Sequence, residues 1–103
     1  MKAWFCSDEE CGVVVWADTR GKARYRATFE LGHDLDFGGF AQIIYAHRAP
    51  LLDGEPKDMV TAGEFVRAGG WEECKSCGTP VRQDQKFIEI DTAYVRHAEC
   101  PED

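Results

Sequence analysis

The chain has 103 residues, 19 acidic against 12 basic, for a net charge of −7. That length fits one compact domain or two very small lobes and excludes a large multi-domain enzyme. At 44% hydrophobic and 12% aromatic the composition is that of a folding chain, while the acidity argues against a general coat for DNA or RNA, whose phosphates demand basic surface.

The N-terminal apolar run stops at Cys6, and Asp8, Glu9 and Glu10 follow. A signal peptide needs a longer apolar stretch, so a secretory leader is not expected and a cytoplasmic location is. The longest apolar run, Val13–Ala17, is far too short to span a membrane. Lys2–Phe5 and Val13–Ala17 are rich in aromatic and β-branched residues and read as two strands of a hairpin joined by the polar Ser7–Gly12. Asp18 or Thr19 offers an N-cap oxygen to a helix in which Ala23, Ala27 and Leu31 form a narrow stripe of mostly small side chains. Gly32 stops that helix, and Phe40–His47 reads as a third strand. The result is a small ββαβ lobe.

Pro50, Gly54 and Pro56 mark a loop, so the expected lobes are residues 1–53 and 54–103. Divided at residue 50, the first half carries 6 basic and 7 acidic residues and the second 6 and 12, a near-neutral lobe followed by an acidic one. Thr61 and Glu64 are spaced as a capping box for a helix over Ala62–Ala68, ended by Gly69 and Gly70. A polar turn at Arg82–Gln85 leads to an alternating strand at Lys86–Asp91. The fold class is therefore α+β, with a C-terminal knuckle and β-hairpin stapled by metal.

The metal reading comes from Cys74-Lys75-Ser76-Cys77-Gly78 and His97-Ala98-Glu99-Cys100. Two thiolates two residues apart reach one ion from a tight turn, and a glycine after the second relieves the backbone there. A second pair at the same spacing closes a tetrahedral shell, so Cys74, Cys77, His97 and Cys100 are the expected ligands of a structural Zn²⁺. The spacer between the pairs is long enough for a hairpin that returns the chain to the knuckle. Reduced core cysteines beside an unrelated histidine, or a redox pair, are the competing readings; a redox pair usually opens a helix after a strand, and that context is missing. Four protein ligands leave no position for a catalytic water.

Weaker signals each have two readings. Cys6 and Cys11 are either reduced thiols at strand ends, able to oxidise to a disulfide in air, or ligands of a second metal with His33 or His47. Arg20, Lys22, Arg24 and Arg26 at a helix start either receive an anion or form a solvated face. His33, Asp34 and Asp36 either form a metal or acid–base cluster or belong to a polar loop. No nucleophile–base–oxyanion set and no phosphate-binding glycine loop is recognisable.

Two resemblances follow from these residues. The knuckle, hairpin and H-x2-C layout over residues 71–100 resembles treble-clef and LIM-like zinc fingers, which implies a helix opening at the second ligand pair. The run Val13-Val14-Val15-Trp16-Ala17-Asp18-Thr19-Arg20-Gly21-Lys22-Ala23, followed by His47-Arg48-Ala49-Pro50-Leu51-Leu52-Asp53, resembles a family of small bacteriophage and prophage proteins with a "TRGKA" helix and an "RRxPxLD" segment. His47 stands where that motif has arginine. This resemblance implies a phage origin and a host-cytoplasm location, and carries over no catalytic residues. The expected function is a non-enzymatic, zinc-stabilised binding protein whose partner is a host protein or complex, in its sharper form an inhibitor of host defence or nucleic-acid machinery. The alternative is a nucleic-acid-binding zinc-finger protein, and a third class is an enzyme using His33, Asp34 and Asp36.

Overall fold

The computed structural model describes residues 1–8, 10–32 and 45–101. It is a mixed α+β chain that divides into two compact units, Met1–Asp58 and Met59–Asp103.

In the first unit β1 (Lys2–Ser7) pairs antiparallel with β2 (Gly12–Ala17), from Lys2↔Ala17 to Ser7↔Gly12. Asp8 makes the turn: its carboxylate accepts the N–H groups of Glu10 and Cys11 at 2.7 and 2.6 Å. Strand β3 (Tyr45–Arg48) pairs with the other edge of β1, giving the order β2-β1-β3. Residues 40–44 of the expected third strand, and the whole of His33-Asp34-Leu35-Asp36, lie outside the described residues.

Helix α1 (Arg20–Glu30) is capped by Thr19, the second of the two expected caps, whose hydroxyl accepts the Lys22 N–H at 3.2 Å. Strand alternation sends Trp4, Cys6, Val15 and Ala17 to one sheet face, and Ala23 and Ala27 of α1 pack there. Methyl side chains let the helix axis lie close to the sheet. The Trp4 indole N–H donates to the Ala17 carbonyl at 3.0 Å, so the polar end of this buried ring is satisfied. Gly32 follows the helix at φ +79°, a conformation that favours glycine.

The segment after β3 is sewn back onto β1. The Ala49 N–H donates to the Ala3 carbonyl, and the Ala3 N–H to the Asp53 carboxylate at 2.7 Å. Arg48 pairs with the same carboxylate. Met1 and Gly54 exchange two backbone bonds at 2.8 and 3.0 Å. The Trp16 indole N–H caps the short 3-10 turn Pro50–Leu52 through the Leu52 carbonyl at 2.8 Å. These bonds explain why the first unit runs past the expected boundary at residues 53/54 to Asp58. They also correct the charge reading. With Asp53, Glu55, Lys57 and Asp58 in the first unit, it holds 7 basic and 10 acidic residues (net −3), and the second 5 and 9 (net −4). The acidity is shared and does not set one lobe apart.

The second unit begins with helix α2 (Ala62–Arg67), whose expected capping box is present in full: the Glu64 N–H donates to Thr61 Oγ1 and the Thr61 N–H to Glu64 Oε1, both at 3.1 Å. Two hairpins follow. Strands β4 (Trp71–Glu73) and β5 (Pro80–Arg82) flank the cysteine knuckle, and β6 (Phe87–Glu89) pairs with β7 (Val95–His97). The core of this unit is small: Ala62, Val66, Val81, Val95 and Cys74, with Phe87 and Cys100 against it. One candidate ligand is thus itself a core residue. No described helix is long and apolar enough to cross a membrane.

Candidate metal centre

The first ligand pair sits in the turn between β4 and β5. The Cys74 N–H donates to the Thr79 carbonyl at 2.9 Å and the Gly78 N–H returns to the Cys74 carbonyl at 2.8 Å. That path takes Gly78 to φ +79°, while open space surrounds the position its Cβ would take. Glycine is needed there for its backbone, as the knuckle spacing implied, and not for room. The second pair sits in the turn after β7, where the Cys100 N–H donates to the His97 carbonyl at 3.1 Å. Among the described residues, which end at Pro101, no helix opens at this pair as treble-clef fingers would have it.

The two turns meet because β7 pairs on both sides. One edge takes β6; the other takes the knuckle, through the Cys74↔Val95 bridge and the Lys75 N–H to the Val95 carbonyl at 2.9 Å. The donor atoms of Cys74, Cys77, His97 and Cys100 then all lie within 4.8 Å of one another, a cluster that could hold a metal ion. Cys74 Sγ is 3.8 Å from Cys100 Sγ, and His97 Nδ1 is 3.3 Å from Cys77 Sγ and 3.8 Å from Cys100 Sγ.

The surroundings orient these atoms. His97 Nε2 is 3.1 Å from the Pro80 carbonyl. A carbonyl can only accept, so Nε2 carries the proton and the Nδ1 lone pair faces the sulfurs, the arrangement that fixes the tautomer of a metal-bound imidazole. The Thr79 hydroxyl lies 3.1 Å from Cys77 Sγ, and the His97 N–H donates to Cys74 Sγ at 3.3 Å.

Packing three sulfurs together makes their protons compete. Burial opposes ionisation of Cys74, but N–H donation from Cys77, His97 and Ser76 outweighs it and brings its pKa to about 6. Thr79 lowers that of Cys77 through its hydroxyl and its N–H. Burial, then the neighbouring sulfurs, push Cys100 up to about 11. For His97, burial is outweighed by the Cys77 and Cys74 sulfurs and the Pro80 carbonyl, and its pKa is raised. A bound cation would replace the contested protons at all four donors.

The weaker candidates do not converge in the same way. Cys6 faces α1 while His47, paired with Phe5, points to the opposite sheet face, with its ring 5.5 Å from that of Phe5. Cys11 is exposed in the β1–β2 turn, and both thiols are free. A shared site of Cys6, Cys11 and His47 is therefore ruled out by strand alternation, and His33 lies outside the described residues. The four cations of α1 go to different places. Arg26 donates to the Trp16 carbonyl at 2.6 Å, Arg24 sits beside Cys6, Arg20 lies 5.7 Å over the Trp4 ring, and Lys22 is exposed. Sequence reasoning missed the supporting atoms Thr79 and Pro80; their only signal was position just beyond the knuckle.

No family model, curated protein or solved structure matches this chain.

Proposed function

We propose that the protein is a small zinc-stabilised binding protein that acts by docking on another protein. The donor set supports zinc. A tetrahedral ion bound at about 2.3 Å to sulfur and about 2.0 Å to nitrogen separates its ligands by about 3.8 Å for S···S and about 3.5 Å for S···N. The 3.8 Å sulfur pair and the 3.3 and 3.8 Å sulfur–nitrogen pairs fit those edges. Three thiolates and an imidazole suit Zn²⁺ over the harder cations. Cys74, Cys77, His97 and Cys100 would hold it, and with all four positions filled by protein it would stabilise the fold rather than activate water.

The observation that carries the binding role is the apolar surface on the metal-stapled hairpin: Ile88, Ile90 and Tyr94 are exposed in a unit with a small core. Leaving such side chains in water is unfavourable unless a partner covers them. A host-cell partner and an inhibitory role belong to this proposal.

The test combines metal analysis with capture. Native mass spectrometry of the purified chain is expected to show one zinc. Affinity purification with Ile88→Lys and Ile90→Lys variants as controls is expected to lose a specific protein that the parent chain retains. Retention of the same partner by those variants, or its replacement by nucleic acid in a low-salt gel shift, overturns the reading.

A further inference from the structure

We infer that the outer edge of β6 receives an extended peptide strand that carries a basic residue between apolar ones. This deepens the protein-binding reading and rests on it. The inference starts from the hydrogen-bond ladder. The Ala98 N–H donates to the Lys86 carbonyl and the Ile90 N–H to the Tyr94 carbonyl, and Ile88 lies opposite Arg96. Residues 86, 88 and 90 therefore aim their backbone groups at β7, and Phe87 and Glu89 aim theirs the other way. Among the described residues no backbone group meets Phe87 or Glu89 on that outer side. Among the described residues β7 has both edges filled and β6 has one open.

An open edge binds extended backbone, and the side chains beside it decide which. On the solvent face of the hairpin Ile88 and Ile90 are 40% and 44% exposed. On the other face an open cleft of about 280 Å³ lies beside the edge, lined by Thr61, Glu89, Asp91 and Thr92. Arg67 bonds to Glu89 at 2.9 Å, and the Asp91 carboxylate accepts the Ala93 and Tyr94 N–H groups. Glu89 and Asp91 thus bring two carboxylates to the cleft lining, of which the Glu89 carboxylate is paired with Arg67. An added strand alternates its side chains between these faces. Its apolar residues would lie along Ile88 and Ile90, and the residue between them would enter the acidic cleft as lysine or arginine.

The charge argues against a second copy of this chain as the occupant. Two β6 edges brought together would each add a net −7 and set Glu89 and Asp91 of both copies near the same seam. A positively charged peptide has the opposite sign of interaction.

The probe is a short fluorescein-labelled peptide of alternating valine and lysine with blocked ends, added to the full-length, zinc-loaded protein. Saturable anisotropy is expected, together with slower hydrogen exchange of the Phe87 and Glu89 amides by about tenfold or more. Methylating alternate backbone nitrogens of the peptide, or the Ile88→Lys substitution, should weaken binding by about three- to tenfold each. An alternating valine and glutamate peptide should not bind. The proposal is overturned if Phe87 and Glu89 exchange is unchanged, or if the methylated or glutamate peptides bind equally well. It is also overturned if those amides become protected with rising protein concentration alone and sedimentation shows a dimer. Failure here, with a protein partner still lost on the Ile88→Lys and Ile90→Lys substitutions, would remove the edge and leave the binding-protein reading standing.

Discussion

Replacing Cys77 by serine tests the metal centre with little collateral change. Cys77 is exposed, whereas Cys74 is 1% exposed and packs among Val66, Val81 and Val95, so a Cys74 variant mixes ligand loss with core damage. Small zinc modules bind their ion with about 10–16 kcal/mol of apparent free energy. Shared over four donors, one sulfur represents roughly 3 kcal/mol. The second unit has about 45 residues. At an unfolding entropy of about 2 cal/mol/K per residue, a loss of that size lowers its melting temperature by about 30 °C. The unit should therefore lose its structure near room temperature unless zinc is in excess, which restores it by mass action. Native mass spectrometry reads the zinc. Amide NMR reads the two units separately, with Val81, Val95 and Arg96 expected to collapse into the unfolded region while Trp4, Val15 and Ala27 stay dispersed. A Cys77→Ser protein that keeps one zinc and melts within a few degrees of the parent would refute the assignment of this sulfur as a ligand.

Gly78→Ala forces a side chain into a φ of +79° with no steric contact, so it should weaken zinc by about five- to tenfold without abolishing it, read by chelator competition. A Cβ on Gly63 would fall 1.7 Å from Glu89 Oε1, so Gly63→Ala should displace Glu89 from Arg67 and gain nothing. In a Glu89→Ala background the same change should stabilise by about 0.5–1 kcal/mol through helix propensity, and equal effects in both backgrounds would count against the contact. The Ala3 N–H holds Asp53 below its ordinary pKa against partial burial, with Arg48 adding to the effect. Its contribution is present above the ordinary carboxylate pKa and is lost as pH falls through the depressed one, so Asp53→Asn should flatten the acid limb of the melting curve. Burial pushes Cys6 up to about 11 against the pull of Arg24, while Cys11 is exposed. Iodoacetamide at mildly alkaline pH should therefore label Cys11 and spare Cys6 in the folded protein, as peptide mass spectrometry can show.

What could be read along the chain was local. The Cys74/Cys77 and His97/Cys100 spacings, the Thr61/Glu64 capping box and the Ala23/Ala27 stripe each depend on residues within one or two turns of each other. The aromatic and β-branched residues of Lys2–Phe5 and Val13–Ala17 likewise predict the first hairpin. Strands β4, β5 and β7 are three residues long, too short for any period to register, and they exist because the two ligand turns bring them together. The unit boundary was misplaced because Asp53 and Gly54 bond to Ala3 and Met1, about fifty positions away, which no local composition records. That long-range suture also redistributed the charge between the units. In the same way, the four cations of α1 occupy alternate positions within seven residues but are scattered in space, since a helix turns 100° per residue and Arg20 and Arg26 meet different neighbours. The open edge of β6 belongs to the same class of fact. Side-chain patterns mark a strand, but whether its outward backbone groups find a partner depends on what the rest of the chain lays beside them.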